Sequence, residues 1–226
     1  AQVAALSSAR LPGMTTTQIA ALTTDAIAAV PTAVVASMTT DQIAALTTDQ
    51  VRALSTAQIA ALTNDQVVAL GTAQFAAFQT SQIQAFTSTQ FPAVETVDLA
   101  ALSTAQIVAL TTAQAASLTS AQLAALTTAQ VSALETADVA AISATVIPGL
   151  TTAQTHTLSV AQLTALTTAQ VRALETADLA ALDSDQIAGL TTTQVASLTT
   201  GQIVALSTDQ IANLTTAQVA TLPSTP

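Results

Sequence analysis

The 226-residue chain contains no cysteine, lysine, tryptophan or tyrosine. Without cysteine there is no disulfide framework and no thiolate metal site. Its only cations are Arg10, Arg52 and Arg172, against thirteen acidic residues, for a formal charge of −10. Proteins that neutralise phosphates need a basic surface, so nucleic acid is not an expected partner. Threonine and glutamine recur in nearly every eight residues, so no apolar run reaches the roughly 18 residues of a membrane span. Charged residues make up 7% and aromatics 2%, yet 50% is hydrophobic and the mean hydropathy is +0.58. That balance argues against ordinary disorder, which needs polarity and net charge. The start lacks Met and a basic-then-apolar signal, as expected of a mature chain or a segment of a longer one.

What is there is a repeat. Stepping by eight from Leu6 through Met14, Leu22 and Val30 to Leu222 visits 28 positions, all apolar, and the register never slips. With this residue as position 0, the consensus is Leu-Thr-Thr-Ala-Gln-Ile-Ala-Ala. Position 5 runs from Val3 to Val219 and is large and apolar except at Ala115 and Thr155. Position 4 is Gln in 21 of its 28 members, position 2 is nearly always Thr or Ser, and position 7 stays small. Position 6 accepts Arg52, Gln84, His156, Arg172 and Val204, which suits a side chain facing water. The expected organisation is one octad array over residues 1–226, with a weaker 40-residue superrepeat from 95 to 214. Glu95, Glu135 and Glu175 mark the superrepeat, each opening an octad with Asp at position 4: Asp98, Asp138 and Asp178. Duplication of five-octad blocks is favoured over a structural superperiod.

One continuous helix is excluded. Eight residues advance about two turns plus roughly 80°, so the leucines would spiral around the surface and leave no stripe for a partner. The expected fold is all-α, a solenoid of very short helices, one per octad. The first Thr serves as N-cap and the Gln three residues later reaches back to its amide, a capping box stapled by Leu before it and Ile after it. Thr47 with Gln50 and Ser55 with Gln58 show the pattern, and the Glu-Thr-x-Asp octads are expected to use acidic versions of the same cap. Helices this short are unstable alone and must bury one face against neighbours. The expected core and assembly residues are Val3, Ile43, Val51 and Ile59 at position 5, with Leu6, Leu46, Leu54, Leu62 and Leu222 at position 0. Both termini fall within the pattern and carry no polar cap, so both ends are expected to be sticky.

Proline resists this account. Pro12, Pro92 and Pro148 occupy position 6, inside the expected helices, where proline costs about 3 kcal/mol. Pro31 and Pro223, at position 1, suit a helix start. A β-solenoid with Thr and Gln ladders is the alternative and would place position 6 in a turn. Abundant Ala, only five Gly and almost no Asn at corners speak against it.

No catalytic, cofactor or metal site is expected. His156 is the sole histidine, so no His pair exists to hold a metal, and a solvated side chain is its expected role. Asp25, Asp41, Asp49, Asp65, Asp185 and Asp209 all sit at position 3, where acids favour a helix start; weak calcium binding between coils is the rival. Phe75, Phe78, Phe86 and Phe91 lie at positions 5 or 0, as core enlargement. The threonine columns raise ice binding as an alternative, although capping already accounts for them.

The array Leu-Thr-Thr-Ala-Gln-[Ile/Val]-Ala-Ala, as in residues 46–70 and 102–134, resembles octapeptide arrays of very large secreted or surface proteins of bacteria, often labelled adhesin-like. The Leu-Thr-x-x-Gln-Val opening is similar to the first helix of TAL-effector repeats. Their longer repeat and basic character are missing here, so DNA binding is not carried over. The first resemblance implies an extracellular or cell-surface location. The expected function is structural and non-enzymatic: a rigid stalk, or a filament subunit whose partner is another copy of itself, joined head to tail. A binding module for a cell-surface or polymer partner, using positions 3 and 6, is the alternative.

Overall fold

The computed structural model describes residues 11–222. Val3, Leu6, Arg10 and Pro223 therefore lie outside the described residues. Among those described, 24 α-helices of four to six residues follow one another with no strand. The fold is an all-α solenoid, and the β-solenoid alternative does not hold.

The octad Leu46–Ala53 shows how the sequence makes each unit. Thr47 is the N-cap: its hydroxyl accepts the Gln50 N–H at 3.2 Å, and its own N–H donates to Gln50 Oε1 at 2.8 Å. The helix Thr48–Ala53 ends at Leu54, whose N–H donates to the Val51 carbonyl and whose backbone is extended (φ −63°, ψ 134°). The next N-cap, Ser55, is extended too (φ −72°, ψ 158°). Such extended residues reverse the chain, and no described residue takes a positive φ. The turns therefore need no glycine, which is why an array of turns has only five.

Three of the octads break the α pattern, and they are those with proline at position 6. Leu11–Gly13, Phe91–Ala93 and Ile147–Gly149 are 3-10 turns. Proline cannot donate the i−4 hydrogen bond. In the second case Ala93 and Val94 bond instead to Gln90 and Phe91, three residues back. The proline thus sits in a tightened final turn, and the full cost expected inside an α-helix does not arise. Pro31 takes the N-cap place before Thr32–Val35, with no side-chain cap.

The chain parts into two compact units, residues 1–114 and 115–226. In the first, helix Thr48–Ala53 packs on Thr24–Ala28 and on Thr72–Ala77. In the second, Thr176–Ala180 packs on Thr152–His156 and on Thr200–Ala205. Each step is 24 residues, so three octads make one coil.

Burial follows octad position. In Leu46–Ala53 the side chains of Leu46, Gln50 and Val51 are buried, Ala53 is half-buried, and the rest are exposed. Ile43, Val51 and Ile59 are fully enclosed, with Leu46, Leu54 and Leu62 beside them, whereas Leu222 is half-buried. The four phenylalanines are in the core, and Phe75 packs against Phe78 and Phe86 with ring centroids 5.6 and 5.7 Å apart. Position 7 is small because it lies over the coil 29 residues earlier. A Cβ on Gly149 would come 2.6 Å from the Ser120 carbonyl oxygen, and one on Gly189 would strike Val160 Cγ1.

Candidate functional site: a buried glutamine ladder

The position-4 glutamines are the buried polar groups of the stack. From Gln42 to Gln218, every glutamine at this position is at most 6% exposed. A buried amide has two donors and one acceptor oxygen to satisfy. Gln50 satisfies all of them: Oε1 accepts the Thr47 N–H, and Nε2 donates to the carbonyls of Ile19 and Leu22, both at 2.8 Å. These acceptors lie 31 and 28 residues back, at the C-terminal end of a helix in the coil beneath, where carbonyls have no i+4 amide; Ile19 keeps only the turn bond from the Leu22 N–H. Gln58 repeats the arrangement on Ile27 and Val30, Gln82 on Val51 and Leu54, Gln162 on Val131 and Leu134, and Gln210 on Leu179 and Leu182. One side chain thus caps its own helix start and clamps the helix end below.

Sequence reasoning found the first half of this role and missed the second. The signal was present: a capping box accepts Glu or Gln at N3, yet position 4 contains no Glu at all. Only the amide can donate downward.

A second tie lies outside the core. The position-6 side chains of Arg52, His156, Thr164 and Arg172 each reach the carbonyl 25 residues ahead, on Ala77, Ala181, Gly189 and Ser197, at 3.0–3.4 Å. Position 6 does face solvent, as expected, but these four side chains also bridge to the next coil.

The acidic octads correct the expectation of acidic caps. Glu95, Glu135 and Glu175 occupy the N-cap place with no side-chain cap bond. Asp183, at the same octad position, does cap, its Oδ1 accepting the Gln186 N–H at 2.8 Å. One extra methylene carries the glutamate carboxylate past the helix amides. Asp98, Asp138 and Asp178 sit where the clamp glutamine belongs and are 1–3% exposed. Thr72 Oγ1 donates to Asp98 Oδ1 at 2.7 Å and Thr152 Oγ1 to Asp178 Oδ1 at 3.0 Å, while Oδ2 of all three aspartates is enclosed without a partner. Burial, with the neighbouring Glu135 adding to it, pushes Asp138 up to about 6. Burial raises Asp98 and Asp178 too, opposed by their threonine donors.

Among the described residues no group of three or more His, Asp or Glu is placed to hold a metal, and no helix is long and apolar enough to cross a membrane. The fold and its ladder define a class: an α-helical solenoid repeat protein, each coil of which is completed by its neighbours. The model of the ALTTAQ repeat matches the chain over residues 1–32, 27–56, 35–72, 50–80, 91–128, 131–168, 165–200 and 193–224, and the chain belongs to that family. No curated protein matches it. Its repeat supports a structural role.

Proposed function

We propose that this ALTTAQ array is a non-enzymatic structural element, working outside the cell or at its surface as a rigid stalk or as a subunit that stacks head to tail on further copies. The observation that carries the reading is the ladder, by which each inner coil is closed by its neighbours: Gln50 clamps Ile19 and Leu22 in the coil beneath, and Gln82 of the coil above clamps Val51. The position-5 side chains of such coils are enclosed, as Ile187 and Val195 are at 1% and 0% exposed, and Ile211 and Val219, 38% and 48% exposed in the last described coil, are where a stacked array would be read. Such a contact would be heterologous and would propagate instead of closing.

The binding-module reading draws less support, because Arg52, His156 and Arg172, which would line such a groove, are engaged with the next coil. Electron microscopy and sedimentation of the purified chain over a wide concentration range test the proposal. Fibres or linear strings of particles are expected, and Ile211→Glu with Val219→Glu should abolish them. Strictly monomeric particles at high concentration would refute the stacking subunit, and compact rather than elongated monomers would refute the stalk.

A further inference from the structure

Two joints, one within each unit, have lost their clamp, and a third aspartate, Asp138, stands at the same octad position. Counting back 31 and 28 residues from Asp98 gives Val67 and Leu70, and from Asp178 gives Ile147 and Leu150. These are helix-end carbonyls of the kind that glutamine Nε2 serves elsewhere. An ionised aspartate offers them only acceptors. Its Oδ2 would carry charge into an enclosure that supplies no donor, an expensive arrangement.

Nor does the surrounding charge compensate. Each aspartate has a glutamate at its own helix start, Glu95, Glu135 or Glu175. The helix packed under Asp98, Thr72–Ala77, has no titratable residue, and the helix Asn64–Ala69, which ends at the bypassed carbonyls, contributes the exposed Asp65. Helix Val160–Ala165, packed on that of Asp138, has none. Around Asp178, helix Thr152–His156 brings His156, whose ring Nδ1 lies against the Ala181 carbonyl, and Thr200–Ala205 brings none. The two described arginines are bonded elsewhere, to Ala77 and Ser197.

We propose that Asp98, Asp138 and Asp178 are held as neutral carboxylic acids in the folded stack, their Oδ2 protonated in place of the missing amide, so that these joints tighten in acid and loosen when the carboxyls ionise. The proton comes from solvent and returns to it, and nothing else changes hands. The folded state then binds more protons than the unfolded one between the ordinary aspartate range and the raised midpoints. Stability is therefore greatest below that window, falls as pH rises through it, and levels off above.

Carboxyl carbon-13 titration of the full chain between pH 3 and 8 reads this directly, with each resonance assigned by its Asp→Asn variant. Three midpoints above 3.8 are expected, with that of Asp138 near 6. Urea unfolding is the second readout: the midpoint concentration should fall from pH 4 to pH 7. The triple variant Asp98→Asn, Asp138→Asn, Asp178→Asn should lose most of that fall. Because low pH also relieves general repulsion in an acidic chain, Asp25→Asn, Asp41→Asn, Asp49→Asn serves as a charge-matched control and should keep it. Midpoints at or below 3.8, or a triple variant that retains the full fall, would overturn the proposal. So would millimolar calcium restoring the pH 4 stability at pH 7, which would assign the joints to a cation.

Discussion

Gln58 holds Val30 from one coil to the next: its Nε2 donates to the Val30 carbonyl at 2.7 Å across 28 residues, while its Oε1 accepts the Ser55 N–H at 2.7 Å. Cap and clamp are thus two ends of one amide. The difference between Gln and Glu, invisible to the cap, is decisive for the stack.

Gln58→Glu should separate the two roles. The cap acceptor survives, but the Val30 carbonyl loses its Gln58 donor, the Ile27 carbonyl keeps only its turn bond from the Val30 N–H, and a charge is buried. Leaving such groups unsatisfied costs about 1–3 kcal/mol, more for a charge. Urea unfolding at neutral pH should show at least that loss. An effect no greater than that of an exposed Thr56→Ala change would contradict the clamp.

Glu95→Thr should stabilise. It gives the helix Thr96–Ala100 an N-cap hydroxyl it now lacks, a gain of about 1 kcal/mol. The thermal midpoint is the readout, and Thr47→Ala should move it about as far the other way.

The glycines should rank by what stands beneath them. Gly149→Ala meets the Ser120 backbone and should destabilise strongly, whereas Gly189→Ala meets chiefly the Val160 side chain, with the Asp185 carbonyl oxygen 3.2 Å away, and should be largely rescued by Val160→Ala. Gly201→Ala, in a helix with nothing nearer than 3.9 Å, should gain about 1 kcal/mol from helix propensity. Unfolding free energies of the four variants check the order.

Position 5 should be costly inside the stack and cheap at its last described coil. Ile59 is fully enclosed, so Ile59→Ala should lose about 2–5 kcal/mol. Ile211 is 38% exposed, and Ile211→Ala should cost clearly less in dilute solution. If assembly covers that coil, the gap should narrow at concentrations where particles form.

Much of this was legible in the chain. The eight-residue register, the short helices, the caps at Thr47 and Ser55 and the apolar columns through Ile43 and Leu46 all follow from local pattern, because each depends on residues within one octad. Pro92 misled because a helix of under two turns has only one turn to lose and can tighten it to 3-10. Glu95 misled because capping depends on side-chain reach as well as acidity.

The sequence alone determined the repeat unit and which side chains must leave water, and it favoured the helical state over a β-solenoid, since propensity, capping and periodicity act over a few residues. Only the tertiary structure decided that three octads make a coil. It alone set Gln50 against Ile19 and Leu22, Gly149 against Ser120, and left Asp98 where an amide should be. Those relations join residues 26 to 31 apart, and the pitch that brings them together is set by the packing of whole coils, which no single octad encodes.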